Sequence, residues 1–245
     1  RVNGEVGLLS DLQRHWRRYA QPPRDADARL PPFQGGVAGY WGYELARRLE
    51  NVPATRFAAP ALPEMALGFY DWVLAWDHQR PHDPRCWLFS SGWPAAEPAA
   101  RLARAQARAD EILALLARPT PSLSPWPAAD AAPLAAPADQ APRFSVPGHP
   151  DLTSTFSRRA YLAAVARVLA FIAAGDAYQV NLSQQLQLPL TAHPWEHYQR
   201  LRQINPAPFS AYFALPHLKR AILSASPERF LRVRQGQVET RPIKG

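Results

Sequence analysis

The sequence predicts a mixed fold in which helices and antiparallel β-hairpins occupy separate stretches of one chain. Three observations carry that prediction. Residues 96–118, 157–175 and 194–204 place apolar side chains at helical spacing. The β-rich runs Leu67–Asp77 and Arg85–Ser90 flank the turn-forming stretch His78–Pro84, and Gln235-Gly236 sits between two further runs. Nine prolines fall among mostly Ala and Ser between 119 and 150, a composition that builds no packed core. That stretch reads as a linker between an N-terminal region, 1–118, and a second region, 151–245.

The elements follow in order. Residues 5–21 carry a helical pattern (Val6, Leu9, Leu12, Trp16, Tyr19), and a Pro-containing loop runs on to Pro32. Phe33–Tyr43 reads as an apolar strand. Its glycines at 35, 36, 39 and 42 leave little side-chain bulk, so a neighbour packs close to its backbone. The order Gly-x-Gly-x-x-Gly is absent, which excludes a dinucleotide fingerprint, and Tyr40, Trp41 and Tyr43 read as core aromatics. Glu44–Glu50 is a short helix. The helix at 96–118 sets Leu102, Ala105, Ala109, Ile112 and Leu116 on one face, with Arg101, Arg104 and Arg108 on another that reads as solvated.

After the linker, Ser157 caps a helix whose stripe is Tyr161, Val165, Val168, Leu169 and Ile172, closed by Gly175. Tyr178–Leu182 alternates as a strand reaching about Leu188. Pro194 opens a helix with Trp195, Tyr198, Leu201 and Ile204 inward. Strands follow near Phe209–Ala214, Ala221–Ser224 and Phe230–Arg234, and the Gln235-Gly236 turn leads into Gln237–Pro242. A two-residue loop there pairs Val233 with Val238 and Leu231 with Thr240, and sets Arg232 opposite Glu239 as a charge pair. The base of that hairpin then brings Glu228 and Lys244 together. Strict alternation would put them on opposite faces, but Pro227 and Pro242 cannot donate to a ladder and bend the chain.

Composition excludes several function classes. The chain has 245 residues, 28 Lys+Arg against 20 Asp+Glu, and a single cysteine, Cys86, which rules out a disulfide scaffold or a multi-thiolate metal site. The net charge is +8 and the pI about 10.1, yet the arginines are scattered and no run of five basic residues occurs, so no nucleic-acid partner is expected. The longest apolar stretch, Val168–Ala174, is far short of a membrane span, and Arg1-Val2-Asn3-Gly4 opens no signal peptide, so the expectation is a cytoplasmic protein without a membrane partner. The only methionine is Met65 and the chain stops at Pro242-Ile243-Lys244-Gly245 in what reads as a strand exit, so it is expected to be part of something longer. His193-Pro-Trp-Glu-His197 sets two histidines four apart but lacks the His-Glu-x-x-His order, and no metal site is expected there.

Four ordered segments point to chemistry. Gly175-Asp-Ala-Tyr-Gln-Val-Asn-Leu-Ser-Gln184, Pro206-Ala-Pro-Phe-Ser-Ala-Tyr212, Ser224-Ala-Ser-Pro-Glu-Arg-Phe230 and Thr240-Arg-Pro-Ile-Lys-Gly245 resemble consecutive motifs of the chorismate-utilising enzymes. Phe33–Glu50 and Leu62–Arg80 also resemble the aminodeoxychorismate synthase component I branch. The similarity spans nearly all of the chain outside the linker and the first thirty-odd residues. It implies an α+β architecture with large antiparallel β-sheets packed face to face and flanking helices, cut short at the C-terminus.

Two positions choose the branch. Isochorismate and salicylate synthases add water at C2 of chorismate and carry a lysine at the position matched by Gln179, which cannot act as a base. Anthranilate synthases are similar at Gln179 but carry a small residue where Lys244 stands. In the aminodeoxychorismate branch that lysine is the nucleophile at C2. The resemblance further implies Glu228 as the acid–base carboxylate, Gln179 and Asn181 at substrate-binding positions, and Pro208, Phe209 and Ser210 in a tryptophan pocket, with the glycine-rich strand Gly35–Gly42 as a second candidate wall. It implies Mg²⁺, with ligands C-terminal to this chain and none within it, and a glutamine amidotransferase subunit or domain as ammonia source. Three other readings stay open. One is anthranilate synthase component I, and another is a non-catalytic amino-acid-binding or scaffold domain. In the third, Glu228 is simply a strand-end carboxylate paired with Arg229 or Arg241.

Overall fold

The computed structural model describes residues 10, 12–15, 17, 30–53, 57, 62–78, 82, 84–126 and 141–243. The chain forms two compact units, one of residues 1–54 and 63–122 and the other of 55–62 and 123–245. All strand pairings among the described residues are antiparallel, in two- and three-stranded sheets beside separate helices, which is the α+β class.

In the first unit the described residues between 10 and 17 are helical. β1 (Gly36–Trp41) pairs with β2 (Met65–Tyr70), with Gly39 opposite Leu67. The close approach foreseen for the glycines is real at Gly39, where an added Cβ would stand 2.0 Å from the Ala66 carbonyl oxygen. The aromatic cluster is not core, however. Trp41 is 48% exposed and Tyr43 is 93% exposed, because Tyr43 opens a 3₁₀ turn (Tyr43–Arg48) whose buried residue is Leu45.

The run Leu67–Asp77 is two strands rather than one. It breaks at Asp71, after which β3 (Trp72–Asp77) turns away to form the expected hairpin with β4 (Arg85–Ser90), Asp77 facing Arg85. The Asp71 carbonyl at the break accepts hydrogen bonds from the Ser91 N–H (2.9 Å) and hydroxyl (3.0 Å).

Helix α1 (Pro98–Leu116) starts where Glu97 accepts bonds from the Ala99 and Ala100 N–H groups at 3.1 and 2.7 Å. Those two bonds hold the Glu97 carboxyl below its ordinary range. Arg101 and Arg108 of α1 are half-buried, contrary to the expectation of a solvated face, while Arg104 is exposed and Ala105, Ala109 and Ile112 of the foreseen apolar face are half-buried or buried. Arg101 Nε donates to the Ser91 carbonyl (3.0 Å) and Arg104 Nε to that of Trp93 (2.9 Å). Arg108 Nε meets the Asp71 carboxylate at 3.3 Å, and Asp71 with Glu111 raises the Arg108 pKa further above its already high value. Ile112 is buried on the same side, while Leu102 and Leu116 are exposed. Long guanidinium arms reach carbonyls at sheet ends that a leucine cannot satisfy, so hydrogen bonding as well as hydropathy orients this helix.

In the second unit β5 (Phe144–Val146) and β6 (His149–Ser154) form a hairpin, so the Pro/Ala-rich stretch ends in paired strand. Helix α2 (Arg158–Ala174) has the expected ends. Ser157 Oγ accepts from the Ala160 N–H at 3.2 Å, and Gly175 is left-handed (φ 81°) with the Asp176 N–H bonded back to Phe171 at 3.0 Å. Tyr161, Val165 and Val168 are half-buried, whereas Leu169 and Ile172 of the foreseen stripe are exposed. The strand foreseen from Tyr178 is corrected as well. Only β7 (Leu186–Gln187) is paired, against Ser154 and Thr153, and Tyr178–Leu182 lies outside any ladder, Tyr178 being 94% exposed. Alternation alone makes no strand without a partner edge.

Helix α3 (Pro194–Ile204) packs on the hairpin of β8 (Phe209–Leu215) and β9 (Arg220–Ser226). Its contact is aromatic. Trp195, Tyr198 and Tyr212 have ring centroids 5.1–5.6 Å apart, and burial raises the Tyr212 phenol pKa. Tyr198 and Leu215 are buried, but Ile204, foreseen as inward, is 83% exposed at the last residue of the helix.

Candidate functional site

The β8–β9 register sets the geometry of the second unit's polar end. Phe209 pairs with Ser226 and Ser210 with Ala225, so the Pro208-Phe209-Ser210 segment starts where β9 runs out into Pro227, Glu228 and Arg229. Ser210 turns back on its own loop, its hydroxyl donating to the Ala207 carbonyl at 2.9 Å. The Ser226 hydroxyl donates to the Glu228 carbonyl at 3.2 Å, across Pro227 in the irregular segment that links β9 to the final hairpin. Glu228 is half-buried on that segment.

The final hairpin comes to the same place. Its loop has Gln235 at φ 51° and Gly236 at φ 75°, the paired left-handed residues of a type I′ turn. β10 (Arg232–Arg234) and β11 (Gln237–Glu239) hold the foreseen register, Val233 facing Val238 and Arg232 facing Glu239. The Thr240 hydroxyl donates to the Phe230 carbonyl at 2.8 Å, carrying the pairing toward the hairpin base. The Glu239 carboxylate receives Arg229 Nη1 on one oxygen (3.4 Å) and Arg241 Nη2 on the other (3.1 Å). Arg229 also lies over the Phe209 ring, 5.1 Å from its centroid.

The structure therefore gathers Phe209, Glu228 and the strand that leads toward Lys244, with Arg229 and Glu239 between them. Lys244 itself lies outside the described residues. Gln179 and Asn181 are exposed and bond to each other, Gln179 Nε2 to Asn181 Oδ1 at 3.3 Å, on the chain that precedes β7. Gly35–Gly42 belongs to the first unit and Pro208–Ser210 to the second. The first unit also holds an open, mostly apolar groove of about 530 Å³ lined by Leu12, Gln13, Trp41, Leu67 and, from the foreseen glycine-rich wall, Val37 and Gly39, while Pro208, Phe209 and Ser210 are not among its lining residues. His193 is spoken for locally, since its Nδ1 accepts from the Trp195 N–H (3.0 Å) and its ring meets Trp126 edge-on.

Among the described residues no three His, Cys, Asp or Glu side chains lie together to hold a metal ion. Among them, too, no helix is long and apolar enough to cross a membrane. Sequence reasoning missed the Arg229–Glu239 link. The ladder register gave no signal for it, since Glu239 faces Arg232 and Arg229 lies upstream of the paired residues.

Residues 5–245 match the protein family described as chorismate binding enzyme. The chain is 38% identical over 218 residues to aminodeoxychorismate synthase component 1 of Klebsiella aerogenes, covering 87% of this chain and 39% of that protein. It is 35% identical over 244 residues to anthranilate synthase component 1 of Thermus thermophilus, covering 100% of this chain and 46% of that protein. Among solved structures, anthranilate synthase component I from Streptococcus pneumoniae superposes with a TM-score of 0.67 over 93% of this chain and 46% of the other, at 19% identity. The chain thus spans less than half the length of each of these relatives.

Proposed function

This chain belongs to the chorismate-binding enzyme family, and from that premise we propose that it is the N-terminal and central part of a cytoplasmic aminodeoxychorismate synthase component I. The full-length protein converts chorismate and ammonia to 4-amino-4-deoxychorismate, the precursor of 4-aminobenzoate for folate. A glutamine amidotransferase subunit or domain supplies the ammonia.

The observation that carries this reading is one juxtaposition. The segment bearing Glu228 is linked through Arg229 and Phe230 to Glu239 and Thr240, which lead within a few residues to Lys244. In the first step the Lys244 amine forms a bond to C2 of chorismate, both ring double bonds shift (C1=C2 to C1=C6 and C5=C6 to C4=C5), and the C4–O bond breaks. Hydroxide is a poor leaving group, so Glu228 delivers a proton and the 4-hydroxyl departs as water. Ammonia then bonds to C4 as the C2–Nζ bond breaks, which returns Lys244 to its free amine. Two allylic displacements replace one difficult substitution. Gln179 and Asn181 offer amide groups to the substrate, and Gln179, unable to take a proton, leaves water at C2 unactivated. Mg²⁺ belongs to this chemistry as a counter-charge for carboxylates, held by ligands beyond Gly245.

Anthranilate synthase component I is the second reading, favoured by the match over 100% of the chain. Product analysis decides between them. The full-length protein with chorismate, Mg²⁺ and an ammonium salt should yield 4-amino-4-deoxychorismate, and anthranilate as the main product would overturn the choice.

Pro208, Phe209 and Ser210 are proposed to line a tryptophan pocket. A ligand that binds only the folded state raises Tm. Millimolar tryptophan should therefore raise the Tm of the full-length protein while leucine does not. Equal traces with both amino acids would return these residues to a purely structural role.

A further inference from the structure

Glu228 sits on the irregular segment between β9 and β10, whose backbone is tied at two carbonyls. The Ser226 hydroxyl bonds the Glu228 carbonyl at 3.2 Å, and the Thr240 hydroxyl bonds the Phe230 carbonyl at 2.8 Å. Between the two tied residues stands Arg229, whose side chain makes two contacts on two different strands. Its guanidinium lies 5.1 Å from the ring centroid of Phe209 at the start of β8, and its Nη1 is 3.4 Å from Glu239 at the end of β11. The other Glu239 oxygen is taken by Arg241, so that carboxylate is itself held in orientation.

We infer that Arg229 is a positioning residue: by engaging Phe209 and Glu239 together, it fixes the 227–230 segment and sets the distance between the Glu228 carboxyl and the strand that leads to Lys244. This inference rests on the proposed acid–base role of Glu228. A planar guanidinium suits the task because it can stack on a ring while donating in its own plane, which an ammonium cannot do. The Arg229 and Glu239 side chains are 34% and 35% exposed, and a pair so open to solvent adds little to global stability. Its value lies in geometry, since a displacement of about 1 Å at a reacting group costs roughly 100-fold in rate.

The test uses the full-length enzyme with chorismate, Mg²⁺ and an ammonium salt. Arg229→Ala should lower kcat by roughly 10- to 100-fold, leave the KM for chorismate within about twofold, and leave Tm nearly unchanged. Arg229→Lys should recover only part of the rate, and added guanidinium should partly rescue Arg229→Ala. Glu239→Gln should lower kcat in the same direction, and the double variant should be no slower than the slower single one, because both changes release one link. Should Arg229→Ala fold poorly, Glu239→Gln with its kcat, KM and Tm carries the test alone. A kcat within twofold of the parent in Arg229→Ala or Glu239→Gln, while Glu228→Gln is inactive, would overturn the inference and spare the role of Glu228. An active Glu228→Gln would instead overturn that role itself.

Discussion

Glu228→Gln in the full-length protein should lower chorismate turnover by about 10²- to 10⁴-fold, the range that a positioned general acid contributes. The amide keeps the size and the half-buried position of the side chain, so the loss reports the missing proton rather than a disturbed segment. Lys244→Ala should cost at least as much, since it removes the atom that bonds to C2. The two variants differ in a way that checks their separate roles. With Glu228→Gln the 4-hydroxyl cannot leave, so no adduct accumulates on Lys244, and mass spectrometry of the quenched protein should show only the unmodified chain. With Lys244→Ala, residual product could form only by direct attack of ammonia at C4. Near-parental turnover in both variants would sink the assignments, and isochorismate as the main product would refute the reading of Gln179.

How much of this was legible in the sequence varied with the kind of force involved. Local rules read well. The Ser157 cap, the Gly175 stop and the Gln235-Gly236 turn each depend on backbone conformations that one or two residues dictate, and the register of β10 and β11 followed from the loop length. Partner-dependent features read poorly. Tyr178–Leu182 alternates as a strand should, yet lies against no edge, and Leu67–Asp77 splits at Asp71 because its two halves pair with different strands. The α1 arginines were assigned to solvent because hydropathy ignores the carbonyls of Ser91 and Trp93 that they reach. At the candidate site the motifs carried Glu228 and Phe209 by resemblance, while the Arg229 contacts to Phe209 and Glu239 arise outside the β10–β11 ladder and left no local signal.

Tyr198→Ala should be the most damaging single change on α3. The ring is 8% exposed and packs between Trp195 and Tyr212, so its removal leaves an aromatic-sized void against β8. Truncations of that kind cost about 3–5 kcal/mol. At roughly 4 °C or more per kcal/mol for a unit of this size, Tm should fall by more than about 10 °C. Ile204→Ala, on the same helix, is the control that gives the number meaning. Hydropathy puts Ile204 inward, but it is 83% exposed at the last residue of the helix, and a surface truncation should stay within about 0.5 kcal/mol. Thermal melts of the two variants should therefore differ widely, and similar melts would mean that α3 is rotated about its axis relative to β8 and β9. Such a rotation would also weaken the case for the site, because α3 backs the hairpin whose open end sets Phe209 opposite Ser226 and so places the Glu228 segment.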